Sequence, residues 1–150
     1  MQLIDVIKTF PNGLHDSELK HYRHDLSKNS IILDLSIWVG DLYSTDIEIR
    51  ERYEDYEIEI GGIGYWALGF IENGNLNGEY GSEIIDVGLV NEGNIEKFTI
   101  PSEIIQSKRN IYWMYIGSIN QNLIFTCNWG RIINKKSAQQ GDAPETGSSE

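Results

Sequence analysis

The sequence predicts a mainly β domain, an antiparallel curved sheet or partly closed barrel carrying one or two short helices, with an α+β arrangement as the alternative. Three observations predict it. From Ile31 to Val39 apolar residues fall on every second position (Ile31, Leu33, Leu35, Ile37, Val39), with Asp34 and Ser36 between them. That period belongs to a strand packed on one face. Polar turn clusters then divide the rest of the chain into short apolar runs. Finally, four Trp, eight Tyr and four Phe in 150 residues are enough for one real core, since each buried aromatic removes roughly 150–250 Å² from water. This length is that of one domain.

Leu3, Ile4, Ile7 and Phe10 recur at near-helical spacing, so a short amphipathic helix is expected over residues 2–10. Pro11-Asn12-Gly13 ends it, and His15-Asp16-Ser17-Glu18 follows as a polar corner. Residues 19–26 are ambiguous taken alone. The tight turn Ser27-Lys28-Asn29-Ser30 makes them the antiparallel partner of the strand from Ile31, which Gly40-Asp41 closes. Two half-buried strands are expected within residues 42–60, from the alternation of Ile47 and Ile49 with Glu48 and Arg50, and of Ile58 and Ile60 with Glu57 and Glu59. The bend between them falls at Arg52 to Tyr56. After Gly61-Gly62-Ile63-Gly64 comes an apolar strand over 65–71, an exposed loop over 73–81, and a strand over 83–90. Phe98 and Ile100 suggest a short strand, and Pro101-Ser102-Glu103 a helical start. Residues 111–119 and 123–129 form a second hairpin. The 1–134 unit reads as a single domain and 135–150 as a disordered tail, because it has no large apolar residue to offset its ordering entropy.

Twelve basic against 23 acidic residues give a net charge of −11. Nucleic acid is excluded as the main ligand, because phosphate binding needs a basic face, and so is an anionic membrane surface. A basic protein partner fits. The N-terminal residues lack the basic and apolar regions of a signal peptide, and no apolar run is long enough to span a bilayer; a cytoplasmic location is expected. The lone Cys127 sits in the apolar run LIFTCNW and reads as a buried thiol.

Catalysis is the weaker reading. His15-Asp16 has the chemistry of a metal-ligand pair, and His21 could join it, giving a metal-dependent enzyme as one alternative. His21 and His24 lie three apart on a strand and point to opposite faces. Acidic residues are too numerous to single out a catalytic carboxylate pair. The glycines match no phosphate-binding loop, and no nucleophile elbow occurs. No cofactor is expected. Another alternative is a small-molecule barrel lined by Trp38, Trp66, Trp113 and Trp129.

The densest electrostatic feature is residues 41–60, where eight acids and two arginines leave a net of −6. Glu48, Glu57 and Glu59 fall opposite the isoleucines if both segments are strands. With Asp41 and with Tyr43, Tyr53 and Tyr56 they would form an acidic, tyrosine-rich face for a basic protein.

The pattern Phe10-Pro11-x-Gly13-x-His15-Asp16-Ser17-x-Leu19, the strand end Ile37-Trp38-Val39-Gly40-Asp41, and Tyr112-Trp113-x-x-Ile116-Gly117 with Phe125 resemble a family of small uncharacterised bacterial proteins. These have an HDA/HDS corner and a VWVGD-type strand end, and some are grouped with immunity proteins of polymorphic toxin systems. The resemblance implies a non-catalytic binding protein that neutralises a basic toxin, and it brings no catalytic residues.

Overall fold

A computed structural model describes residues 1–68, 83–117 and 120–136. Among these residues eight strands form one antiparallel sheet: β1 Ser17–Asp25, β2 Ser30–Trp38, β3 Tyr53–Gly61, β4 Tyr65–Leu68, β5 Glu83–Leu89, β6 Ile111–Ile116, β7 Gln121–Thr126 and β8 Trp129–Lys136. Three short helices accompany them, α1 Leu3–Lys8, α2 Ile47–Arg50 and α3 Ser102–Gln106. The strand order is β4-β7-β6-β5-β1-β2-β3-β8.

The expected hairpin of β1 and β2 forms, paired from Glu18↔Ser36 to Asp25↔Ser30 with a register shift between Leu19 and His21. The second hairpin, β6 and β7, also forms. The alternating apolar residues of β2 (Ile31, Leu33, Leu35, Ile37) are all buried. They share one core with Ile58 and Ile60 of β3, Tyr112 and Met114 of β6, Phe125 of β7, Leu3, Val6 and Ile7 of α1, and Phe10 just after it.

The sheet is curved. Were it flat, β3 and β7 would lie about 24 Å apart, five strand spacings along the row. Instead both contribute to the same core, and the Asn128 amide donates to the Gly61 carbonyl at 2.9 Å. The β3–β8 ladder ends at Gly61↔Trp129, and the β4–β7 ladder begins at Tyr65↔Thr126. Residues 61–64 and 127–128 thus bend one two-stranded ribbon around a corner. Gly62 turns there at φ +65°, and the Arg109 guanidinium pins the bend by donating to the Gly62 carbonyl and the Asn128 side chain. Among the described residues the end strands β4 and β8 do not pair with each other.

Three expectations need correction. Residues 47–50 form helix α2, capped by Asp46, whose side chain accepts from the Glu48 amide. Phe98 and Ile100 belong to no strand; a 3-10 turn covers Ile95–Lys97. The apolar run expected over 123–129 is divided at Cys127-Asn128, and β8 runs from Trp129 to Lys136, so Lys135 and Lys136 of the expected disordered tail lie in the sheet. The loop expected at 73–81 and the tail from 137 onward lie outside the described residues.

Candidate functional site

The expected acidic face divides into two places. On β3, Asp55, Glu57 and Glu59 do share the outer face, opposite Tyr56, Ile58 and Ile60. Cations from distant parts of the chain occupy that face with them. Lys20 reaches Asp55 at 2.9 Å, Arg23 reaches Glu57 at 3.9 Å, and Lys136 reaches Asp34 at 2.8 Å. Arg131 grips Glu59 through Nε at 2.7 Å and a terminal nitrogen at 2.6 Å, and the buried Ser30 hydroxyl donates to the same carboxylate at 3.0 Å. Glu59 is only 3% exposed and Asp34 likewise 3%. An unpaired buried carboxylate would be costly, so these pairs account for the acids without any outside partner. Tyr56 points inward against Phe10 and donates its hydroxyl to Glu54 at 2.6 Å. Glu57, Glu59 and Tyr56 are therefore parts of the fold, and Glu48, on α2, is not on their face.

The other residues of the face converge elsewhere. Asp41, Tyr43, Glu48 and Tyr53 sit on or beside the connection from β2 to β3, which is apolar as well as acidic. Tyr43 is 91% exposed, Leu42 61%, Ile47 60% and Ile49 51%, and α2 buries no residue at all. A four-residue helix has little intrinsic stability. It is held by Asp46 and by contact with the end of β2. There Trp38 donates its indole N–H to the Arg50 carbonyl at 2.7 Å, and the Asp41 amide bonds the Ile49 carbonyl at 3.2 Å. A Cβ on Gly40 would overlap the Arg50 carbonyl, so only glycine permits this approach.

The His15 corner joins the same place. Asn12 donates to the Trp38 carbonyl at 3.2 Å and the Gly40 carbonyl at 2.9 Å, fastening the first motif to the strand end. Between them lies a cleft of about 650 Å³ lined by Pro11, Asn12, His15 and residues 38–43. His15 lies 3.1 Å from Asp86 on β5 and 3.4 Å from Asp16, with its ring 6.5 Å from that of Trp38. The bonded Asp86 carboxylate raises the His15 pKa above the usual imidazole value against a smaller opposing effect of burial, and Asp16 adds to the rise. Tyr53 is raised first by burial and then by the negative field of Asp16, Glu18 and Glu51. Carboxylates from the corner, from the start of β1 and from just after α2 thus act on one point.

The alternatives find less support. His15 is engaged by Asp86, while His21 lies 3.1 Å from Asp34 on the outer face of β1 and β2. Among the described residues no group of three His, Cys, Asp or Glu has the geometry to hold a metal ion. The four tryptophans do not line one cavity. Trp38 is in the cleft, Trp66 packs on Phe125, Trp113 stacks on Phe98, and Trp129 lies over Gly61 beneath Arg131. Cys127 is buried, and burial pushes its thiol pKa up to about 12, far from a reactive thiolate at neutral pH. Sequence reasoning missed Leu42, Ile47 and Ile49 as surface residues. The Asp46-x-Glu48 cap was the available signal. No protein-family model matches the chain, and no solved structure matches it.

Proposed function

We propose that the chain is a non-catalytic binding protein whose Asp41–Tyr53 surface meets a basic protein, and that this partner is a toxin it neutralises. The observation that carries the reading is the exposure of Leu42, Tyr43, Ile47, Ile49 and Tyr53 together on one short connection, among Asp41, Asp46 and Glu48. Among the described residues no cation lies within ion-pair distance of these three. Apolar and aromatic centres with a charged rim are the usual anatomy of a protein interface. The uncompensated acids would speed the encounter with a basic surface and set its register. The toxin-neutralising role draws its support from the corner and strand-end motifs, which meet through Asn12 beside this surface.

The test is calorimetric titration against the product of the gene neighbouring this chain's, where that product is a basic protein, at low and at physiological salt. Asp46→Lys with Glu48→Lys should weaken binding by about tenfold or more and flatten its salt dependence. Unchanged affinity would remove the acidic surface from the interface.

A further inference from the structure

We propose that the cleft between His15, Trp38, Asp41 and Tyr43 receives an arginine side chain of the partner, the anchor of the interface described above. The inference rests on that reading and goes beyond it by naming the group recognised and the side chains that recognise it.

Composition argues first for a cation. The cleft lining carries the carboxylate of Asp41, the indole of Trp38 and the phenol of Tyr43, and neither Lys nor Arg. Asp16 and Asp86 lie outside the lining and touch His15 from behind, adding negative charge near that wall. In the ion-pair lattice over β3 the acids are met by the chain's own Lys and Arg, whereas Asp41 has no cation within ion-pair distance among the described residues. An aromatic face beside a carboxylate attracts a cation twice, through the ring quadrupole and through the charge. A guanidinium suits the place better than an ammonium, since it is planar, stacks on aromatic rings, is weakly hydrated and donates in a fork to one carboxylate.

Geometry argues next that the parts are preformed. The Trp38 indole N–H is committed to the Arg50 carbonyl, which fixes the ring. Asp41 spends one carboxylate oxygen on the Tyr43 amide at 2.9 Å and keeps the other for a guest. Asn12 ties the far wall to the Trp38 and Gly40 carbonyls. Walls fixed at Trp38 and Asn12 lower the entropic cost of immobilising a long side chain.

His15 makes the site responsive to protons. The groups facing it are Asp16 on its own corner, Asp86 from β5, and across the cleft Asp41 and Tyr43. A protonated His15 pairs with Asp16 and Asp86 and repels an incoming guanidinium. Binding should therefore weaken as the pH falls through the titration of His15.

The experiment follows the Trp38 indole and the Tyr43 and His15 resonances of the full chain by NMR. The titrants are a blocked Gly-Arg-Gly peptide and its citrulline counterpart, which keeps the shape and removes the charge. The expected result is a saturable shift of these three residues with the arginine peptide, at least tenfold weaker with citrulline. It should diminish in Asp41→Asn, which retains the turn to the Tyr43 amide, and in the exposed Tyr43→Ala. It should also weaken on acidification in the wild type and not in His15→Asn. Equal shifts with both peptides, shifts confined to Asp46 and Glu48, or none would overturn the arginine site. The surface reading would then stand or fall separately, on the Asp46→Lys and Glu48→Lys titration of the protein partner.

Discussion

Removing Arg131 should destabilise the domain more than removing the carboxylate it serves. Glu59 sits on the outer face of β3, its side chain 4% exposed, whereas Arg131 is 63% exposed at the end strand β8. In Arg131→Ala the carboxylate stays buried with a single remaining donor, Ser30. Breaking a buried pair in this way costs about 3–5 kcal/mol. The exposure of Arg131 lets water reach the vacated side and brings the expectation to about 3 kcal/mol. In Glu59→Gln the amide oxygen still accepts from Ser30 and Arg131 turns to solvent, a cost of about 1–2 kcal/mol for exchanging a charged for a neutral hydrogen bond. At about 3 °C per kcal/mol for a domain of this size, Tm should fall by about 9 °C and about 4 °C respectively. Urea unfolding followed by tryptophan fluorescence measures both. A loss below about 1 kcal/mol in Arg131→Ala, the value of an ordinary surface pair, would refute the claim that this lattice is a buried part of the fold.

Further expectations concern the site and the core. Gly40→Ala drives a methyl into the Arg50 carbonyl. It should displace α2, cost about 1–3 kcal/mol and shift the Trp38 fluorescence; an unchanged spectrum and Tm would show that the contact is loose. Glu54 is held below the ordinary carboxylate value first by the Tyr56 hydroxyl and then by Lys135 and Arg52. Its folded pKa is lowered, so its stabilisation is present above the ordinary value of 4.5 and disappears as the pH falls through the folded one. Glu54→Gln should flatten that part of the stability profile, and an identical acid limb would contradict the assignment. Cys127, buried with its pKa near 12, should react with a thiol reagent at mildly alkaline pH only at the rate of unfolding. Rapid labelling of the native chain would place the thiol at the surface.

Much of the fold was legible because it depends on local patterns. β2 announces itself by period two, and the turn at Ser27 to Ser30 makes β1 its partner. The same pattern misled at Ile47 and Ile49, where alternation without a partner strand buries nothing and the Asp46 cap makes a helical turn instead. β8 was hidden for the opposite reason. Ile132 and Ile133 are adjacent, and the register shift at Glu57/Ile58 spoils any alternation. Its order comes from Lys136 with Asp34 and Arg131 with Glu59, partners 102 and 72 residues away. The β3 half of the acidic face was misplaced in the same way, since a sequence displays the charges of one strand and not those folded against it. His15-Asp16 was readable as a corner. That Asn12 fastens it to the Trp38–Asp41 strand end, forming the cleft, was not readable, because both hydrogen bonds go to backbone carbonyls.

The most direct test is a hydrogen-exchange footprint of the full chain bound to the proposed basic partner. Protection is predicted over residues 41–53 and at the His15 corner, with the outer faces of β3 and β8 unchanged. Protection over β3 and β8, with residues 41–53 exchanging as in the free protein, would contradict it.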